Sequence, residues 1–248
     1  MLDKKTEKEI SFLREGGQLL GEILRRVATE VKVGKTGQEL NSLAEDLIVK
    51  TGGIPSFKNY HGFPAGLCVS LNQTVVHGIP NNIPFQEGDL VGLDVGMQYK
   101  GLYTDTALTV AVGKVNKESE QLLTVTKKAL AIGLSKVSPQ NYIGDIGVAI
   151  EEYIKPFGYG IVRDLCGHGV GRAVHEEPAV LNYDTGQKGA KMFPGLVIAI
   201  EPMIIMGGSP KVITAEDNWA VNSQDQSLTA HFEHTVAVTK SGHIVITK

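Results

Sequence analysis

The chain has 248 residues, 42% of them hydrophobic and 21% charged, with a net charge of −3 and 29 glycines. That balance describes a globular protein of one large domain or two fused halves, long enough to bury roughly three quarters of the surface its unfolded chain exposes. It excludes disordered and collagen-like chains, and it gives no global basic surface for sequence-specific nucleic-acid binding.

The opening MLDKKTEKEI lacks the apolar core of a signal peptide, and the longest apolar stretch, Leu196 to Met206, is broken by Glu201 and Pro202. A cytoplasmic protein without a membrane span is expected. Only Cys68 and Cys166 are present, which suits a reducing compartment and excludes a disulfide framework or a thiolate zinc site. Lys4, Lys5 and Lys8 are expected on a solvated helix face.

In chain order, Ile10, Leu13, Leu20, Leu24 and Val27 recur at helical spacing and predict an amphipathic helix from Glu7 to Val27. A second helix follows Gly34, with Thr36 as N-cap and Glu39 completing a capping box; Leu40, Leu43, Ala44, Leu47 and Ile48 form its apolar face before Gly52-Gly53. Strands punctuated by Gly and Pro run to Val112. Tyr99-Lys100-Gly101 reads as a hairpin turn that brings Asp94 and Asp105 opposite each other. Residues 117 to 134 are helical, with Leu122, Leu123, Val125, Ala129 and Leu130 as the apolar set.

The second half then restarts the first. KVSPQNYIGDIGVAIEEYI, from Lys136, repeats the turn and helix of KVGKTGQELNSLAEDLIVK, from Lys32; the FQEGDLV ahead of Asp94 resembles the MFPGLV ahead of Glu201. This internal repeat predicts two α/β halves, roughly 7–113 and 117–248, about a pseudo-twofold axis within a single domain, with a site at their junction.

Three apolar strand-like runs, DLVGLDVG, LVIAIEPMI and HFEHTVAVT, each carry an acid: Asp94, Glu201 and Glu233. An ionised carboxylate removed from water must shift its pKa, find a counter-ion or bind a metal, and like charges opposed across a hairpin are destabilising unless an ion neutralises them. With Asp105 and His168 the set is oxygen-rich and too large for one tetrahedral zinc. Two divalent ions fit better, in the manner of hydrolases that bridge paired metals with carboxylates; Mn, Fe, Co and Zn all suit such ligands. His168 and His175 lie in GHGVGRAVHEEP, a glycine-rich site loop or strand end, and His77 opens a loop after a strand. His61, His231, His234 and His243 are expected to be structural or surface residues.

VVHGIP, LDVG followed by TDTA, GHGVGRAVHEEP, AIEPM and HFEHT occur in this order along nearly the whole chain, and together they resemble the type I methionine aminopeptidases, in the compact form without an N-terminal zinc-binding extension. The resemblance implies the duplicated pita-bread α/β fold, with mostly antiparallel strands and outer helices. It implies removal of N-terminal methionine from nascent proteins whose second residue is small, through attack of a dinuclear-metal hydroxide on the scissile carbonyl. By the same resemblance Asp94 chelates one metal, His168 and Glu201 bind the other, and Asp105 and Glu233 bridge both. Glu201 serves proton transfer, His175 hydrogen-bonds the carbonyl or oxyanion, and His77 contacts the scissile amide or the next residue.

The matching methionine pocket is Phe57, Tyr60, Phe63, Cys68 and Trp219, with Val174 beside the second His. Relatives commonly carry a bulky aromatic at the position of Val174 and a Cys at that of Phe57, and Gly101-Leu102-Tyr103-Thr104 replaces a glycine-His stretch; these departures bear on pocket shape. The resemblance further implies a monomer that meets nascent-chain N-termini and makes transient ribosome contact. An X-Pro aminopeptidase or dipeptidase shares this fold and ligand set but usually carries a substantial extra N-terminal domain. A non-catalytic pita-bread binding module typically lacks some ligands, and none is missing here.

Overall fold

The computed structural model describes residues 2–248. Its elements in chain order are α1 (Glu7–Ala28), α2 (Gly37–Lys50), β1 (Ile54–Pro55), β2 (Leu67–Leu71), β3 (Thr74–Val76), β4 (Leu90–Tyr99), β5 (Leu102–Ala111), α3 (Lys117–Ser135) and α4 (Gly144–Ile154). Then follow β6 (Gly160–Ile161), β7 (Gly167–Gly169), β8 (Glu176–Val180), β9 (Val197–Ile200), β10 (Met203–Ile205), β11 (Val212–Thr214), β12 (Val221–Ser223), β13 (Thr229–His231), β14 (Glu233–Val238) and β15 (His243–Val245).

The two expected capping residues act as the sequence indicates. Thr36 accepts from the Glu39 amide while the Glu39 carboxylate returns to the Thr36 backbone, and Thr6 and Glu9 do the same at α1, so each helix start satisfies donors that have no partner within the helix. By contrast α4 starts at Gly144 without a side-chain cap.

The main sheet runs β1-β4-β5-β14-β9-β7-β8, with β2 also on β4 and β15 also on β14, and every pairing is antiparallel. The middle of this order, β4-β5-β14-β9, is symmetric: each half contributes one outer and one inner strand, and β5 meets β14 at the centre. Leu20, Leu24, Leu40 and Ile48 of α1 and α2 pack with Leu67, Leu93 and Met97 in one core. Leu122, Leu130, Ile146 and Ile150 of α3 and α4 pack with Ile198, Ile200 and Val236 in the other. Helices outside and an antiparallel sheet inside are the duplicated pita-bread α/β arrangement.

Three expectations are corrected. The hairpin turn is the two residues Lys100 (φ 50) and Gly101 (φ 81), the pair of positive φ values a type I′ turn requires. It pairs Asp94 with Ala107 and Gly96 with Asp105, so the two acids are diagonal neighbours on one face and not directly opposed. Glu201 falls in the break between β9 and β10, not within a strand. Lys5 precedes α1 and is only 3% exposed; Lys4 and Lys8 do face solvent.

Candidate active site

Five neighbouring strands of the main sheet each bring one candidate ligand. Asp94 lies in β4, Asp105 in β5, Glu233 begins β14, Glu201 follows β9, and His168 is the middle residue of β7. Asp105, His168 and Glu233 each offer a ligand atom within 4.8 Å of the others. Glu201 Oε1 stands 3.6 Å from His168 Nε2.

The backbone around these side chains is tied across strands. Asp105 is gripped by buried Thr235, whose hydroxyl accepts from the Asp105 amide at 3.0 Å and donates to the Asp105 carbonyl at 2.8 Å. The Thr106 hydroxyl donates to the Glu233 carbonyl at 2.9 Å. The His168 ring places Nδ1 2.9 Å from the Gly169 carbonyl; a carbonyl can only accept, so Nδ1 carries the proton and Nε2 faces the acids with its lone pair.

Burial drives the electrostatics. Glu201 is raised to about 7 by desolvation, with His168 pulling the other way. Asp94 is raised to about 6 by desolvation, offset by His231. Asp105 and Glu233 rise well above the ordinary range through burial first and then repulsion from the neighbouring acids. His168, His175 and His77 are all lowered, chiefly by burial. Asp94 Oδ1, Asp105 Oδ1 and Glu233 Oε1 are buried without a hydrogen-bond partner among the described residues. Buried acceptors left unpaired are costly, and Asp105 and Glu233, grouped with His168, form the mixed oxygen and nitrogen donor set of a divalent cation. The residues present fit a metal.

A cavity of about 400 Å³ opens beside the acids. Phe57, Tyr60, Phe63, Cys68 and Trp219 line it, as do His77 and His175. Val174 packs with Phe57, Phe63 and Cys68 but does not itself border the cavity. The Cys68 thiol is pushed up by burial and by the nearby acids, so it is an apolar wall and not a nucleophile. Tyr60 Oη lies 3.0 Å from His175 Nδ1, and the His175 and His168 rings meet edge to face at 4.3 Å.

Two histidines expected to be structural or surface residues are in the site. His61 borders the cavity while remaining exposed, and packs edge to face against Tyr60. His231 is buried with Nε2 3.4 Å from Glu201 Oε2, so the two Glu201 oxygens are flanked by two imidazoles. Sequence proximity carried a weak signal for His231, which stands two residues before Glu233, although the two belong to separate strands, β13 and β14. Nothing in the sequence singles out His61. His234 and His243 pack away from the cavity, against Thr247 and the Val137 carbonyl.

Residues 11–240 match the sequence model of metallopeptidase family M24. The chain belongs to family M24. This M24 member is 41% identical over 247 residues to a methionine aminopeptidase of Clostridium perfringens, a match covering 100% of this chain and 99% of that one. It is 38% identical over 248 residues to methionine aminopeptidase 1 of Bacillus subtilis, covering 100% of both. The crystal structure of methionine aminopeptidase from Rickettsia prowazekii superposes with a TM-score of 0.97 at 39% identity, again over 100% of both chains. A prolidase from Pyrococcus furiosus shares the M24 fold at a TM-score of 0.80 and 22% identity, but the match spans only 65% of that longer chain. The described residues of this M24 chain contain no helix long and apolar enough to cross a membrane.

Proposed function

We propose that this chain is a metal-dependent aminopeptidase that removes the N-terminal methionine of nascent proteins when the second residue is small. The observation that carries this reading is the junction of two features: five ligand-type side chains from five adjacent strands, and an apolar aromatic cavity at their edge. A cavity walled by Phe57, Phe63, Cys68 and Trp219 suits an unbranched thioether side chain, since sulfur packs favourably against aromatic rings.

In this reading Asp94 would hold one divalent ion, His168 and Glu201 would hold a second, and Asp105 and Glu233 would serve both. When bound, such ions supply Lewis-acid polarisation and lower the pKa of water toward neutrality. Glu201 accepts and returns the nucleophile's proton, a task suited to a carboxyl whose pKa burial moves toward neutrality. With the Tyr60 hydroxyl, 3.0 Å from His175 Nδ1, donating to it, Nε2 would be left as the ring's donor toward the carbonyl oxygen as charge develops there. Burial keeps this imidazole neutral, so it donates without adding a competing cation. His77, at φ 59 directly after β3, contacts the scissile amide or the residue beyond it. Action on nascent chains in the cytoplasm, as a monomer in transient contact with the ribosome, belongs to the same reading.

The test is product analysis with Met-Ala-Ser, Met-Leu-Ser and Ala-Pro-Ser peptides, using metal-stripped protein reloaded with Mn(II), Fe(II), Co(II) or Zn(II). Metal-dependent methionine release from Met-Ala-Ser, with Met-Leu-Ser spared, is expected. Cleavage only before proline would move the assignment to the X-Pro enzymes. No cleavage under any metal would make the chain a binding module.

A further inference from the structure

Lys5 is a buried cation outside the catalytic cavity. Its side chain is 1% exposed and its ammonium pairs with Asp3 Oδ2 at 2.8 Å and with Glu176, a residue 171 positions away. A cation so far from water costs several kcal/mol unless carboxylates compensate it, so the pair must be placed accurately. Glu176 uses its other oxygen to accept from the backbone amides of Arg172 and Ala173, at 2.5 and 2.9 Å. One carboxylate therefore joins the N-terminal segment to the loop from Gly171 to Glu176, and that loop carries Val174 and His175.

The fit is steric as well as electrostatic. Gly171 has φ +140, and a Cβ there would stand 2.4 Å from Lys5 Cε, so the lysine stem occupies the space a side chain would fill. The Lys5 amide donates to the Gly195 carbonyl at 2.8 Å, in the turn that feeds β9 and Glu201. The Arg172 guanidinium closes the far side, bonding Asp3 at 2.6 Å and Glu9 at 2.8 Å.

We propose that Lys5 is a positioning residue for the reaction: through Glu176 it locks the Gly171–Glu176 loop so that His175 keeps its place against Tyr60 and beside His168. The inference rests on the proposed role of His175 in peptide hydrolysis. The loop is also held by the Tyr103 amide donating to the Gly171 carbonyl, by the Arg172 ion pairs and by the packing of Val174. The Lys5–Glu176 pair is, among the described residues, the only ion pair on the residue directly after His175, and misplacing a catalytic group by an ångström can cost about 100-fold in rate.

Lys5→Met keeps the stem and removes the charge. With metal-loaded protein and Met-Ala-Ser, kcat should fall about 10- to 100-fold, while KM and calorimetric metal affinity stay at wild-type values. Independently of activity, amide hydrogen exchange at Arg172 and Ala173 should quicken, and the ring-nitrogen NMR signals of His175 should move as its Tyr60 bond loosens. If Lys5→Met does not fold, Glu176→Gln, which keeps an oxygen for the two loop amides, carries the same measurements. Where both fold, the double variant should fall no further than Lys5→Met alone. A lower melting temperature with unchanged kcat, exchange and His175 signals would overturn the proposal. Failure of wild-type protein to cleave the peptide would instead count against the aminopeptidase reading, and the exchange and NMR readouts would still decide the role of Lys5.

Discussion

At the scale of single residues, the site depends on acids whose burial is unfavourable until a cation arrives. Asp105 and Glu233 are 4% and 2% exposed, each with a carboxylate oxygen that meets no donor among the described residues. The histidines around them divide by what they touch: His168 turns its lone pair to the acids, while His175 and His77 border the cavity. His175→Ala should therefore lower kcat about 100- to 1,000-fold, the range for losing one oxyanion donor, with metal content by elemental analysis unchanged. Loss of metal with activity intact would contradict that assignment. Asp94, Glu201 and Glu233 were legible in the sequence because an acid in an apolar run is conspicuous. Lys5 was not, because its burial comes from residues far along the chain, and His61 has no local signal that it borders the cavity. A lysine flanked by Lys4 and Thr6 has no local signal that Glu176 will neutralise it.

At the scale of elements, the ligands are held by strand register. Helix periodicity marks α1 and α2, and the capping box at Thr36 marks the start of α2, since both signals are local. The offset of Asp94 from Asp105 was less accessible, because it depends on whether the turn takes two residues or three. The type I′ geometry at Lys100-Gly101 decides it. The symmetric order β4-β5-β14-β9 supports the proposed duplication, as do Gly88 and Gly195, with φ of 95 and 96, at matching places ahead of Asp94 and Glu201. Where β5 meets β14, the Thr235 hydroxyl takes the place of ladder bonds to Asp105. Thr235→Val should lower unfolding stability by about 1–3 kcal/mol, because both Asp105 backbone groups lose a buried partner. Thr235→Ser should restore most of it. An unchanged denaturation midpoint in the valine variant would show that the tie contributes nothing.

At the scale of the whole molecule, metal binding, folding and pH are linked. In the metal-free chain Glu201 titrates at about 7 and Asp94 at about 6, above their ordinary values of 4.5 and 3.8. Folded values above unfolded ones mean that this contribution to stability is present at low pH and is lost as pH rises through about 6 to 7. His234 runs the other way: burial lowers it from 6.5 to about 4, so its contribution is present above 6.5 and is lost as pH falls through about 4. Metal uptake must displace the carboxyl protons, so the rise in Tm on adding Mn(II) should grow from about pH 5.5 to about pH 7.5. A metal-induced shift independent of pH would show that these carboxyls are not ligands. The repeat in the sequence predicts two halves and a junction, whereas the strap from Lys5 to the His175 loop appears only when the chain's beginning is seen against its middle. If the five ligand-type side chains form a two-metal centre, anomalous diffraction from crystals grown with Mn(II) should show two peaks about 3.5 to 4 Å apart, with Asp105 and Glu233 touching both. A single peak elsewhere, or density that Asp105 and Glu233 do not reach, would contradict it.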